Sequence, residues 1–242
     1  MVDVQGREER LHARLFVVAA GVFESARLLL RSRSRFFPDG LGNGHDQLGR
    51  HLCGHPTFLW SVPRDAPAWL PRGVYRSYHL NDRLRERRLN AAHVQLHSDK
   101  EGQVVWKLQP EMTPLARNRV ILSKTRKDAF GGPLPEIQFA AHRRDVRSAE
   151  AAMPFLAEQL RALGTTQARL PKMRRWRYHP SGTVRMARDE QTGVVDGDGR
   201  IFGLDNAYVS GACTFPAAGT SNPTLSVVAL ALRLADHLAA RG

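Results

Sequence analysis

One apolar run near the start of the chain constrains the fold most. Residues 11–21 begin with alternating apolar and polar positions and then become continuously apolar up to Gly21. A continuous apolar run of strand length is typical of a parallel strand that is covered on both faces. Residues 23–32 have good helix formers, with an acidic residue in the first turn and a basic one in the last, which predicts a helix. The chain therefore contains a strand-turn-helix unit.

The middle of the chain alternates between strand-like and loop-like segments. Residues 36–56 are rich in glycine, asparagine and histidine, which predicts an ordered loop of the kind that often lines a site. Residues 63–88 carry three prolines and many charges, and we expect a loop there too. Five short runs are expected to form an antiparallel sheet: residues 58–62, 92–97, 104–108, 119–122 and 137–139.

A longer helix is predicted after this sheet. Asp145 is a candidate N-cap, apolar residues follow at helical spacing to Leu163, and Gly164 ends the pattern. Pro154 lies inside the pattern, where proline is expected to kink the helix or divide it into two. Residues 165–177 then form a polar, basic connection.

The end of the chain repeats the order of strand, loop and helix. Residues 207–211 predict a short strand and residues 214–221 a loop. Asn222 then precedes Pro223, a combination of capping side chain and first-turn proline that is typical of a helix start. Apolar residues at helical spacing continue from there. We expect the strand, the loop and the helix start to face one place.

Charge and composition narrow the functional classes. The 242 residues include 36 Lys and Arg against 23 Asp and Glu, a formal net charge of +13, which is compatible with an anionic partner. The arginines are scattered, and no basic helix interleaved with aromatic residues is present, so nucleic-acid binding is not expected. No apolar run is long enough for a membrane span. Two cysteines lack the companion ligands of a zinc site, and we expect no metal.

Ordered motifs occupy the last third of the chain. They are Tyr178-His179-Pro180-Ser181-Gly182-Thr183-Val184-Arg185-Met186, Gly193-Val194-Val195-Asp196 with Arg200-Ile201-Phe202-Gly203-Leu204-Asp205-Asn206, and Phe215-Pro216 through Asn222-Pro223-Thr224-Leu225. Further blocks lie upstream, at Val17-Val18-Ala19-Ala20-Gly21, Gly49-Arg50-His51-Leu52 with His55, and Asn118-Arg119-Val120-Ile121-Leu122-Ser123. Their order and spacing resemble those of the glucose-methanol-choline (GMC) family of FAD-dependent oxidoreductases. The resemblance covers almost the whole chain.

The resemblance implies an α/β (α+β) fold. It combines part of an FAD-binding Rossmann-like domain with a substrate domain whose antiparallel sheet is backed by helices. Residues 1–56 would form a partial FAD-side domain of strand, turn, helix and loop, and residues 57–175 the substrate-binding domain. Residues 176–242 would form the FAD-side C-terminal segment, which carries the catalytic motif.

One departure from the family stands out. Its members begin with a strand, a Gly-x-Gly-x-x-Gly turn and a helix that hold the FAD pyrophosphate. This N-terminal dinucleotide-binding βαβ unit is missing, since residues 40–44 fail the spacing and do not follow a strand. The chain therefore resembles the C-terminal half of an enzyme: a fragment, a chain with a misplaced start, or a subunit completed by another chain. Residues 1–7 show no export signal, but the missing half would have carried one, so the localisation is unknown.

The resemblance implies FAD as the cofactor and His179 as the catalytic base. A neutral imidazole accepts a proton near physiological pH; the alternative is a histidine that caps a turn or satisfies a buried carbonyl. Asn222 matches a family position held by histidine or asparagine. Its amide cannot act as a base at neutral pH, but it can bond to the substrate hydroxyl and orient it. The alternative role for Asn222 is the helix cap.

The resemblance also places five residues beside FAD: Gly21, Gly211, Ala212, Pro223 and Thr224. The helix that begins at Pro223 would present free amides and the positive end of its dipole to the flavin. Small residues that only permit tight packing are the alternative. We interpret His55 as a histidine that orders its loop, the alternative being a histidine that helps to cover the cofactor. We interpret Cys213 as a packing residue rather than a nucleophile.

The resulting hypothesis is FAD-dependent oxidation of an alcohol, such as the CH-OH group of a sugar or polyol, to a carbonyl. The expected partners are the small-molecule alcohol and either an N-terminal FAD-binding chain or an electron-acceptor protein. Two alternatives remain: an inactive fragment or non-catalytic subunit of a GMC-type enzyme, and a basic partner-binding protein.

Overall fold

The computed structural model describes residues 10–61, 74–98, 104–162 and 174–241, which form a mixed α/β structure. Its helices are α1 (Gly21–Arg31), α2 (Leu80–Glu86), α3 (Arg143–Ala162) and α4 (Thr224–Ala239), with a short 3-10 helix at Ala212–Thr214. Its strands are β1 (Phe16–Val18), β2 (Cys53–Ser61), β3 (Val74–Ser77), β4 (Ala92–Ser98), β5 (Val104–Pro110), β6 (Arg119–Lys127), β7 (Pro133–Gln138), β8 (Arg174–Ser181) and β9 (Ala207–Val209).

Five described strands form the main sheet, in the antiparallel order β3-β4-β5-β2-β8. Two predicted loops contribute to it. Residues 74–86, inside the predicted loop at 63–88, form β3 and α2, and the predicted connection at 165–177 contains the start of β8. Those predictions were wrong because tertiary contacts decide the structure of these arginine-rich segments: β3 pairs with β4, α2 packs against β4 and α3, and β8 pairs with the distant β2. Residues 62–73 and 163–173 lie outside the described residues.

The main sheet has one apolar and one polar face because side chains alternate along each strand. Phe58, Val94, Trp106 and Leu108 lie on the apolar face, in one buried cluster with side chains of α2 and α3. The helical contribution comes from Leu80, Leu84, Ala149, Ala152 and Leu156. The predicted sheet backed by helices is therefore present, and its polar face points away from this core. The runs predicted at 119–122 and 137–139 were wrongly assigned to it, because they overlap β6 and β7, which form a separate sheet.

The α3 helix is one element with Pro154 inside it, so Pro154 does not divide the helix. Pro154 is exposed, where a carbonyl that lacks its helical partner can bond to water. Asp145 lies in the first turn of α3 and anchors it. Its Oδ1 atom accepts hydrogen bonds from Asn90 Nδ2 (2.8 Å), Thr113 N (3.0 Å) and Thr113 Oγ1 (2.7 Å). The buried carboxylate thus ties α3 to the segment that follows β5.

The two ends of the chain meet in a second core. β1 and β9 are parallel neighbours, with Val17 opposite Tyr208, and α1 follows β1 as predicted. The core contains side chains of α1, of the loop before β2 and of residues 184–213, among them Val22, Leu29, Leu48, Val184, Val194, Ile201 and Val209. β6 and β7 pair only with each other among the described strands, and both contact α1.

β1 is more exposed than the sequence predicts. Phe16 is 42% and Val17 47% exposed, so the predicted burial on both faces was wrong for the described residues. β9 is the one described strand that pairs with β1, and within β1 Val18 is the residue that packs against the second core. The α4 helix shows the same character, because Leu225, Val228 and Leu232 are 82%, 49% and 63% exposed on one helical stripe. None of the described helices has the length and apolar content needed to cross a membrane.

Candidate active site

His179 lies near the end of β8 in an uncommon backbone conformation. Its φ is +52°, in the left-handed region that costs non-glycine residues free energy and that clusters at functional sites. The pairing of β8 with β2 shifts register on both sides of His55, and such irregularities re-aim side chains. Gly182 has φ +81°, and a Cβ there would come within 2.3 Å of the carbonyl oxygen of His51. The packed backbone therefore fixes the direction of His179.

Two more histidines lie next to His179. The ring of His55, in β2, is edge-on to that of His179, with centroids 5.2 Å apart and planes at 81°. The ring of His93, in β4, is 6.5 Å from that of His55. His55 is 1% and His93 0% exposed. We call His55, His93 and His179 the histidine cluster.

Burial favours the neutral form of the histidine cluster. Desolvation, then the proximity of His179 and His93, lowers the pKa of His55 to about 4. Desolvation also lowers the pKa of His93. Desolvation and the positive charge of Lys107 lower the pKa of His179. A neutral imidazole keeps a lone pair that can accept a proton, so this environment suits a base.

The ring nitrogens of His55 and His93 are buried and have no hydrogen-bond partner among the residues that the structure describes. The backbones of Ser221 and Thr220 approach His55 and His93 without the geometry of a full hydrogen bond. Leaving a buried polar atom unpaired costs about 1–3 kcal/mol, and such atoms are uncommon in proteins. These nitrogens therefore mark a place where a further molecule can bond.

Asn222 lies in a loop beside the histidine cluster. The preceding Ser221 is tied to the polar face of the main sheet, because its Oγ is 2.8 Å from Tyr78 Oη. The α4 helix begins without a side-chain cap, and Pro223 before it already has helical dihedral angles. Asn222 is exposed, and its side chain makes no hydrogen bond to any residue in the described ranges. The predicted cap is therefore not formed.

The predicted flavin-contacting segments connect to the same motif. Gly182 N donates a hydrogen bond to Ala212 O (3.0 Å). Gly211 before it has φ +121° and ψ 179°, a conformation that side chains disfavour. Thr183 Oγ1 donates to Val22 O (2.7 Å), beside Gly21. The structure thus brings Gly21, Gly211 and Ala212 to the chain that follows His179, while Pro223 and Thr224 follow Asn222.

Sequence patterns alone missed His93, Tyr78 and Lys107. The polar residues that alternate with apolar ones in β4 and β5 are the signal that reveals a polar face, but their neighbours come from distant strands. The interpretation of His55 as a loop residue was wrong, because Cys53–Ser61 forms β2 and the imidazole lies against His179.

The remaining candidates have structural roles. Burial raises the pKa of Cys213 to about 11 and that of Cys53 to about 12, so neither thiol is a nucleophile at pH 7. Asp196 Oδ1 fixes a turn by accepting hydrogen bonds from the backbone of Asp198 (2.9 Å) and Arg200 (3.0 Å). The described ranges hold no group of side chains that could bind a metal ion. A cavity of about 550 Å³ between α1 and β6 is lined by none of the histidine cluster.

Comparisons with known proteins agree with these motifs. Residues 114–231 match the C-terminal GMC oxidoreductase family. The fructose dehydrogenase large subunit of Gluconobacter japonicus is 29% identical over 98% of this chain and 49% of its own length. The 6'''-hydroxyparomomycin C oxidase of Streptomyces lividus is 32% identical over 97% of this chain and 47% of its own length. The chain therefore spans about half the length of these curated relatives.

Solved structures share the fold. Pyridoxine 4-oxidase from Mesorbium loti superposes with a TM-score of 0.65 at 21% identity, over 92% of this chain and 51% of its own. A variant of Aspergillus oryzae RIB40 formate oxidase, studied for modification of its FAD, superposes with a TM-score of 0.68 at 18% identity, over 99% of this chain and 56% of its own. Residues 114–231 therefore match the C-terminal domain of the GMC oxidoreductases, a family whose cofactor is FAD.

Proposed function

We propose that this chain supplies the substrate-binding and flavin-facing half of an enzyme that oxidises an alcohol to a carbonyl. One observation carries the proposal: His179 is held in a strained conformation with a lowered pKa, beside buried neutral histidines and the loop that leads to Asn222. A relative named for fructose supports the CH-OH group of a sugar or polyol as the reacting group.

In this proposal His179 is the base. Its neutral imidazole accepts the hydroxyl proton of the substrate as a hydride leaves the same carbon, so that an O-H and a C-H bond break and a C=O bond forms. FAD, when bound, accepts the hydride. Because desolvation and Lys107 lower the pKa of His179, the base form persists below the ordinary value near 6.5. Turnover then falls only when the pH drops through that lowered pKa.

Asn222 orients the substrate hydroxyl. Its amide carries both donors and an acceptor, so one side chain can hold the hydroxyl toward His179 and fix its rotation. The missing helix cap and the exposure of Asn222 support this role, because the side chain is not used for structure. The match of Asn222 to a family position held by histidine or asparagine also supports this role.

The surroundings of the five residues predicted to contact the flavin are compatible with a bound flavin. At Gly21, with φ +79°, an added Cβ would meet nothing within 4 Å, so the main chain is open to a ligand. At Gly211, beside Ala212, an added Cβ would meet Cys213 Sγ at 3.8 Å, an ordinary van der Waals contact, so space is left there too. The uncapped start of α4 at Pro223 and Thr224 offers backbone amides and a positive dipole end, which favour an anionic reduced ring. When FAD is bound, these residues would hold its flavin ring.

A second polypeptide segment completes the FAD site. Parallel strands are normally covered on both faces, whereas β1 is exposed and α4 carries an apolar stripe. We propose that a segment with the Gly-x-Gly-x-x-Gly turn pairs beside β1 and covers α4, either in the same polypeptide or in a separate chain. An electron-acceptor protein is a further partner, since one relative is named a large subunit.

We propose that FAD binding and substrate binding are assigned to different segments of the chain. Residues 1–56 and 176–242 lie on the FAD side, and residues 57–175 bind substrate. β8 (Arg174–Ser181) crosses the second boundary because it pairs with β2. The catalytic histidine is thus supplied where the FAD-side segment enters the main sheet.

The test is reconstitution of a flavoprotein. The chain is co-expressed with the N-terminal half of a GMC relative, and the purified complex is expected to absorb at about 450 nm and to bleach on addition of a polyol, as flavins do. His179→Ala is expected to lower turnover by about 10²–10⁴ at unchanged flavin content. The matched control is His45→Ala, at an exposed histidine outside the cluster.

Two results would contradict the proposal. A complex that stays colourless in the presence of FAD favours the inactive-fragment alternative. Unchanged turnover in His179→Ala removes the residue from the role of base. Association with anionic polymers that weakens steeply with salt, without flavin, favours the basic partner-binding alternative.

A further inference from the structure

The polar face of the main sheet is arranged in two cross-strand rows. In the first row Arg76 lies opposite Gln95, Gln95 opposite Lys107, and Lys107 opposite Leu59. In the second row His93 lies opposite Gln109, with Tyr78 and Thr57 at its two ends. Rows on one face are about 7 Å apart, twice the rise per residue. The first row therefore lies one step beyond the row that leads to the histidine cluster.

This face carries positive charge without any negative charge from its own strands. None of the residues in the five described strands of the main sheet is Asp or Glu, although the chain has 23. The first row contains two basic residues, Lys107 and Arg76.

The first row, which contains the two basic side chains, is only partly exposed to bulk water. Lys107 is half-buried and Arg76 is exposed at the edge. Desolvation, then the charge of Arg76, lowers the pKa of Lys107, so the protonated ammonium is stabilised when an anion approaches. The next row contains buried acceptors and donors without partners among the described residues, on Gln109 and His93. A ligand that reached from Lys107 to the histidine cluster would contact both rows.

We infer that the substrate alcohol carries an anionic group, a carboxylate or a phosphate, which binds to Lys107 and Arg76 while its hydroxyl lies at His179. The assignment of the hydroxyl end rests on the proposed function. The anionic end rests on the two rows and on the acid-free strands. A cationic amino sugar would be repelled by the same face.

Binding without turnover tests this inference. Titration calorimetry compares D-gluconate, neutral D-glucitol and D-glucitol 6-phosphate on the 242-residue chain, purified with any polypeptide that accompanies it. We expect at least about tenfold tighter binding of an anion than of glucitol, as for a charge-assisted contact. The preferred anion, gluconate or the 6-phosphate, identifies the charged group. The preference is expected to weaken with added salt.

Variants separate this site from general attraction to a basic protein. Lys107→Met is expected to weaken anion binding about tenfold and to leave glucitol binding within about twofold. Arg76→Met is also expected to weaken anion binding. Because Arg76 is exposed, this substitution does not endanger the fold. Lys127→Met removes the same charge from exposed β6 and should change nothing. Circular dichroism checks that each variant is folded.

The inference is overturned if glucitol binds as tightly as both anions, if no anion binds, or if Lys107→Met and Arg76→Met keep full anion binding. Its failure is distinguishable from failure of the proposed function. Selective anion binding without oxidation contradicts only the redox role. Oxidation of glucitol with no preference for anions contradicts only the anion site.

Discussion

Substitution of Asn222 distinguishes a role in capping α4 from a role in positioning the substrate. Because α4 has no side-chain cap, Asn222→Ala is expected to change the free energy of unfolding by less than about 0.5 kcal/mol. Loss of a true cap costs about 1 kcal/mol. In the reconstituted enzyme the same substitution should lower kcat/KM by about 10–100-fold, since the hydroxyl is no longer oriented. Urea unfolding and steady-state kinetics measure the two quantities.

Asn43 offers the opposite control. Its Oδ1 accepts from Leu48 N (2.9 Å) and its Nδ2 donates to Asp39 O (2.9 Å). Asn43→Ala is therefore expected to destabilise the fold by about 1–2 kcal/mol and to leave kcat/KM unchanged. A stability loss in Asn222→Ala with normal kinetics would return Asn222 to the role of cap.

The buried imidazole of His55 links stability to pH. Its folded pKa of about 4 lies below the unfolded value near 6.5, so between these values the unfolded chain binds the extra proton. Stability is then expected to fall as pH drops from about 6.5 to 4, by up to about 1.4 kcal/mol per pH unit from this residue. Urea unfolding at a series of pH values measures the slope. His55→Phe should flatten it; an equal slope in that variant would show that other groups carry the effect.

At the scale of elements, the turn after β8 depends on Gly182. Its φ is +81°, and a side chain has no room there because an added Cβ would lie 2.3 Å from His51 O. Gly131, in the β6–β7 turn, has φ +76° but open space around its Cβ position. Gly131→Ala is therefore expected to cost about 1 kcal/mol for the left-handed conformation, and Gly182→Ala clearly more. Thermal unfolding of both variants measures the difference; equal costs would show that the loop relaxes easily.

Local periodicity predicted the elements that depend on their own residues. α1 and α4 follow from helical spacing, and β4 and β5 from short strand-like runs. β8 was missed because its charged sequence becomes regular only when it pairs with β2, far along the chain. β3 and α2 were missed because they depend on pairing with β4 and on packing against β4 and α3. The residues of the candidate site also fall into those predicted from local sequence and those that depend on distant pairing. The motif identified His179 and Asn222, but the position of His93 depends on a sheet in which β2, β4 and β5 meet.

At the scale of the whole molecule, the structure has two kinds of unpaired surface. The polar face of the main sheet contains positive charge and the buried ring nitrogens of His55 and His93, which have no hydrogen-bond partner among the described residues. The apolar stripe of α4 and the faces of β1 are exposed instead. The first suits a small polar ligand, and the second suits a polypeptide. The apolar run predicted that β1 would be covered on both faces. Its exposure shows where a further polypeptide segment could pack against the described residues.

The apolar stripe of α4 therefore gives the last prediction. Burying Leu225 and Leu232 in an assembly is worth about 1.5–3 kcal/mol each, and a carboxylate placed there is strongly unfavourable. The double variant Leu225→Glu with Leu232→Glu is expected to lose the co-expressed FAD-binding segment and its flavin, while the chain itself stays folded. Phe130→Glu, at a residue 64% exposed in the β6–β7 turn, should keep both. Sedimentation and flavin absorbance measure assembly. A double variant that still assembles, or a wild-type chain that buries this stripe in a dimer of itself, would contradict the proposed partner.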